Sequence, residues 1–174
     1  MIIGGEYAVT DYGSYTIFEE RCQEIVDCFY TSQGHSVDRR PANRAYDLLI
    51  LLQGKRADKV EEKFRMGIYH DLLIELIQHV KSGNRGWYYE TGCEHLHYIM
   101  CKGTLEEPIP TTLYRVKWPA FKLWFADTFL SLKPRPNCII STEGWGITLN
   151  ITVPIVVIPK KLITTYLLTD RSIR

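Results

Sequence analysis

The apolar positions of the chain recur with two different spacings, and the switches between them predict alternating helices and strands. Phe18, Cys22, Ile25, Val26 and Phe29 recur at three- and four-residue intervals, the spacing of one helical face. Ser14 can cap that helix, and Gln33-Gly34 ends it, because glycine accepts a left-handed cap. Residues 35–38 form a short strand candidate, and DRRPANR is a polar loop. YDLLILLQ is then a near-continuous apolar run of strand length. Gly54, Lys55, Arg56, Ala57 and Asp58 make a polar connector to KVEEKFRM, a second strand of mixed polarity. IYHDLLIELIQHV fits both spacings: Leu72, Leu73, Leu76, Ile77 and Val80 suit a helix, whereas Leu72, Ile74 and Leu76 suit a strand. KSGNRG is a turn. Residues 112–116 read as a strand, and Trp118-Pro119 opens a strongly apolar helix with proline in its first turn. Residues 138–141 and 146–158 predict late strands, and KKLITTYL a closing helix.

The strand pair around residues 46–66 carries the chemistry. Side chains alternate across a strand, so Glu61 and Lys63 point to one side while Val60, Glu62 and Phe64 point to the other. Asp47 begins the first strand. Hairpin pairing would bring it close to Glu61, with Lys63 one pleat away. Paired carboxylates are hard oxygen ligands suited to magnesium. Such a metal polarises a phosphate and lowers the pKa of a bound water. A neighbouring lysine orients that water and offsets developing negative charge. These parts suit hydrolysis of a phosphodiester.

Asp47, thirteen intervening residues and then Glu61-Glu62-Lys63 resembles the signature of the PD-(D/E)XK nucleases, shared by many restriction endonucleases and Holliday junction resolvases. The resemblance implies Asp47 and Glu61 as metal-binding acids and Lys63 as the catalytic lysine. Tyr46 replaces the usual proline before the aspartate. The residue between the glutamate and the lysine is normally apolar, so Glu62 places that position at an exposed sheet margin or shifts the register. The family's order of helix, short strand, aspartate strand and ExK strand matches the elements read above. Its first helix often places an acid near the metal, and Glu24 is the best match to that position, with Glu20 second. The plainer alternative for both is a solvated helix face.

The same resemblance favours a strand for IYHDLLIELIQHV, because phage-type members follow ExK with a strand carrying a glutamate. Glu75 would be that acid, a further ligand or a residue that orders the lysine. GWYYETGCEHLHYIM resembles a further block of those members, in which a Gly-Trp pair leads to a small polar residue and a short helix with an Ala-Asp pair. Gly86-Trp87 and Thr91 match it, and Cys93-Glu94 takes the Ala-Asp place. Trp87, Tyr88 and Tyr89 read as core and rim aromatics before base-stacking platforms.

The 174 residues suit a single domain, 1–174, with ordinary composition for a globular protein. Net charge is +1, so any nucleic-acid surface must be a local patch. Arg39, Arg40 and Arg44 with Lys55, Arg56 and Lys59 form the candidate patch; a solvated charged surface is the plainer alternative. The five cysteines include no C-x-x-C pair, and reduced thiols in an intracellular, cytoplasmic protein are the simplest account. The N-terminus lacks a signal-peptide pattern, and no apolar run is long enough to span a bilayer. Cys93, His95, His97 and Cys101 are zinc-ligand types, but four ligands within nine residues do not match the paired spacing of structural sites. No P-loop, G-x-S-x-G or dinucleotide fingerprint is present.

The expectation is an α/β domain with a mixed β-sheet flanked by helices and a restriction-endonuclease-like core. The resemblance implies an Mg2+- or Mn2+-dependent endonuclease or exonuclease acting on DNA, and allows a homodimer. If viral, it would work in the host-cell cytoplasm. A nuclease-fold module that binds nucleic acid or protein without cleaving is the alternative.

Overall fold

The structure is a computed structural model and describes residues 12–39, 46–52, 57–79, 81–131 and 148–168. Helix α1 spans Tyr12–Ser32 and is followed by strands β1 (His35–Arg39), β2 (Leu48–Leu52), β3 (Asp58–Met66), β4 (Asp71–His79) and β5 (Asn84–Arg85). A short helix α2 (Trp87–Glu90) precedes β6 (His95–Gly103) and β7 (Pro108–Lys117). Helix α3 (Trp118–Ser131), β8 (Leu149–Pro154) and β9 (Ile163–Leu167) complete the described chain.

Six strands form one mixed sheet in the order β1-β2-β3-β6-β7-β9. Among the described strands of this sheet, only β3 and β6 pair in parallel; the other neighbours are antiparallel. A parallel pair needs a long crossover. Here the crossover carries β4 and β5, which join β8 in a separate three-stranded sheet.

Period-two alternation in β6 divides the core between the two faces of the large sheet. Leu96, Tyr98 and Met100 meet Leu72 and Ile74 of β4 and Trp118, Phe121 and Phe125 of α3. Ile99 and Cys101 meet Phe18, Cys22, Val26 and Phe29 of α1. Trp118, Phe121 and Phe18 are almost wholly removed from water. Burial of each such side chain contributes roughly 1.5–3 kcal/mol of transfer free energy.

The ambiguous run after the hairpin is strand β4, but it lies in the second sheet rather than beside β3. The expected closing helix is instead a 3-10 turn at Lys160–Leu162 followed by β9. Pairing with β7 explains the difference: Ile163–Leu167 finds backbone partners along Thr112–Val116 that an isolated short helix would lack. Of the expected strand at 146–158, Leu149–Pro154 is extended and Ile155–Val157 is a 3-10 turn. The expected strand at 138–141 lies outside the described residues.

Candidate active site at the end of the β2–β3 hairpin

The hairpin exists, and β2 is the shorter arm. It pairs with β3 only through Leu48–Val60, Leu49–Lys59 and Ile50–Asp58. Beyond that register the Asp47 N–H donates to the Val60 carbonyl at 3.0 Å. The Asp47 carboxylate then accepts from the Glu62 N–H at 2.8 Å. The aspartate side chain thus replaces the strand carbonyl that β3 would otherwise lack, which anchors its carboxylate at the end of the β2–β3 pairing.

Glu61 and Lys63 lie on the β4 face of β3, in register with Leu96 and Tyr98. Lys63 Nζ sits 2.6 Å from Glu61 Oε1. The ammonium also lies 5.7 Å from the Trp87 ring centre, within cation–π range. Glu61 is buried. Burial raises its carboxyl above the ordinary range; Lys63 lowers it, Asp47 raises it again, and a hydrogen bond from the buried Thr91 also lowers it. Burial would discharge Lys63, but Glu61 and Asp47 more than offset this and hold it charged.

The helix acid coupled to this group is Glu19. Its carboxyl is raised by desolvation, lowered by Lys63 and raised by Asp47. Glu19, Glu20 and Glu24 are all exposed, and Glu19 differs in its electrostatic coupling to Lys63 and Asp47. Consecutive helical residues are about 100° apart, so Glu19 borders the buried stripe of Phe18, Cys22 and Val26, and Glu20 and Glu24 lie further round the helix. The signal was present in the sequence: Glu19 follows Phe18 directly and borders the apolar stripe.

Glu75 does not join the acids. Its Oε1 accepts from the Trp87 N–H at 3.3 Å, and its backbone lies against Gly86, where an added Cβ would meet the Glu75 carbonyl oxygen at 2.4 Å. Glu75 therefore shapes the turn that sets Trp87 over Lys63. The short helix ends before Thr91, so Cys93 and Glu94 lie in the turn into β6 rather than on a helix.

Glu62 is neither at an exposed margin nor out of register. It is buried beneath α1, where Arg39 Nη1 donates to Oε2 at 2.7 Å and the Tyr30 hydroxyl donates to Oε1 at 3.0 Å. Arg39 also binds both Asp27 oxygens, at 3.0 and 2.7 Å. This commitment takes Arg39 out of the candidate basic patch. Arg40, Arg44, Lys55 and Arg56 lie outside the described residues. Lys59 is exposed, 5.5 Å from the Tyr46 ring centre.

Asp47 and Glu61 are hard oxygen donors of the kind magnesium uses when one or two carboxylates share it with substrate phosphates. Among the described residues no three His, Cys, Asp or Glu side chains converge closely enough to hold an ion. The donor set fits magnesium held jointly with substrate, and does not fit an all-protein cage. The zinc candidates divide between faces: Cys93 packs with the Leu96 core, Cys101 with the α1 core. Among the described residues, no helix is long and apolar enough to cross a membrane.

No family model, no curated protein and no solved structure matches this chain.

Proposed function

We propose that the chain is a metal-dependent deoxyribonuclease of the PD-(D/E)XK type, with a restriction-endonuclease-like core. The observation that supports this reading is the Glu61–Lys63 ion pair at the end of the β2–β3 pairing, with Asp47 electrostatically coupled to both. A buried acid raised by a second acid and balanced by a lysine is the kind of perturbed cluster found at functional sites. Asp47 and Glu61 would hold Mg2+ or Mn2+. That ion, when bound, supplies polarisation of the phosphate and activation of water. Lys63 orients the water and stabilises charge on the phosphate oxygens. Glu19 assists at the rim, in the role the resemblance assigned to Glu24 or Glu20. Trp87 and Thr91 position Lys63 and Glu61. DNA is the proposed partner, and a homodimer is compatible with it.

The test is cleavage of plasmid and branched DNA with magnesium by wild type, Lys63→Ala and Asp47→Asn. Wild type should cut, and each variant should lose about 100-fold or more in rate, the size of a lost electrostatic stabiliser. An inactive wild type, or variants as active as wild type, would overturn the proposal. The closed Glu61–Lys63 ion pair favours a second reading, a binding module that does not cleave. It predicts no magnesium affinity that Asp47→Asn abolishes.

A further inference from the structure

His97 pairs with Glu62 across β3 and β6, so it shares the α1 face with Glu62, opposite Glu61 and Lys63. On that face lies a cavity of ≈ 120 Å³. Phe29, Ile50, Leu113 and Tyr166 supply its apolar wall, and His35, His97 and Arg115 contribute polar atoms. His97 is only 4% exposed. Its Nε2, the Arg115 Nε and the His35 Nδ1 are buried with no hydrogen-bond partner among the described residues. Buried polar atoms are normally satisfied, so three orphans around one cavity point to a missing partner.

The hydrogen-bond network fixes what that partner must offer. Arg39 Nη1 at 2.7 Å and the Tyr30 hydroxyl at 3.0 Å both donate to the Glu62 carboxylate oxygens. With its single proton on Glu62, the Tyr30 oxygen can only accept from His97 Nδ1, 2.5 Å away. Burial, Arg115 and His95 together hold His97 neutral. Its Nε2 is therefore a bare lone pair that needs a donor. Arg115 stands directly opposite His97 across β6 and β7, and its Nε–H needs an acceptor. Directly opposed residues hold their side chains about 5 Å apart at Cβ. The Arg115 charge is already paired with Asp58 at 2.6 Å, so an anion would find no free cation there.

An adjacent N–H donor and carbonyl acceptor is a lactam edge. A cavity of about 150 Å³ accepts benzene, so ≈ 120 Å³ limits the occupant to one small ring. We propose that this cavity binds a neutral single-ring lactam heterocycle of the pyrimidine type, its edge held by His97 Nε2 and Arg115 Nε–H and its face by the aromatic wall. The site lies across the sheet from Lys63, so the proposal stands or falls independently of DNA cleavage.

The probe is uracil, titrated by calorimetry and by 15N spectra of the histidine rings, with 1,3-dimethyluracil and benzene as controls. Uracil should bind with a sub-millimolar Kd and shift the His97 Nε2 resonance. Dimethyluracil, which has no N–H, should bind at least tenfold more weakly. Ile50→Phe, which fills the cavity, and Arg115→Lys, which keeps the charge facing Asp58 but removes Nε–H, should each weaken uracil at least tenfold. If Ile50→Phe does not fold, Arg115→Lys and the wild-type nitrogen shift decide. Folded wild type that binds no uracil up to its solubility limit would show a cavity for water only and overturn the proposal. Equal binding of uracil and dimethyluracil, or an unmoved His97 resonance, would overturn it too.

Discussion

Removing Arg39 should destabilise the fold far more than the loss of a surface arginine, and the loss should grow with pH. Glu62 has a side chain 1% exposed, and Arg39 is its charge partner. Among the described residues, the carboxylate in Arg39→Ala keeps only the Tyr30 hydroxyl. Breaking a buried pair from one side typically costs about 3–5 kcal/mol, because the remaining charge is uncompensated. In a protein of this size that is roughly 6–20 °C in Tm. Burial already raises the Glu62 carboxyl, and Arg39 is the first influence pulling it down. Without Arg39 the folded-state pKa rises further above its unfolded value. The folded variant then binds the extra proton in the window between those two pKa values, so its unfolding free energy falls as pH rises through that window. Urea melts of wild type and variant at pH 5 and pH 7.5 measure this, and the gap should be larger at pH 7.5. The double variant Arg39→Met, Glu62→Leu should recover most of the loss, because replacing both charges removes the uncompensated one. A single-variant loss below about 1 kcal/mol, the ceiling for an exposed pair, or the same at both pH values, would refute the buried-charge account.

Gly86→Ala should cost about 1–3 kcal/mol, because its Cβ would meet the Glu75 backbone; an unchanged urea midpoint would count against the close approach. Lys63→Met should move the Glu61 titration upward, since Lys63 holds that carboxyl down; a carboxyl 13C titration showing no rise would contradict the pairing. Cys28 is exposed, whereas Cys93 is buried with its thiol pushed up to about 12, so at pH 8 iodoacetamide should modify Cys28 well before Cys93. Peptide mapping that finds Cys93 labelled first would refute its environment.

Local patterning determined much of this protein. The stripe at Phe18, Cys22, Val26 and Phe29 required a helix, the apolar run at Leu48–Leu52 a strand, and Trp118-Pro119 a helix start. The hairpin that carries Asp47, Glu61 and Lys63 was legible because two strands joined by a short polar turn pair antiparallel. Tertiary structure decided the rest. It coupled Glu19, rather than Glu24, to Lys63 and Asp47, since the flank of a helix that meets a sheet depends on how the helix is rotated against it. It turned residues 163–167 into a strand, because a free edge of β7 offers hydrogen bonds that no local pattern announces. It buried Glu62 beside Arg39 and Tyr30, and set His97 opposite Arg115 at the edge of a cavity. Periodicity along the chain records which side of an element is apolar; only packing between distant elements determines which charges meet, and a polar residue inside the core is stable only when that meeting occurs.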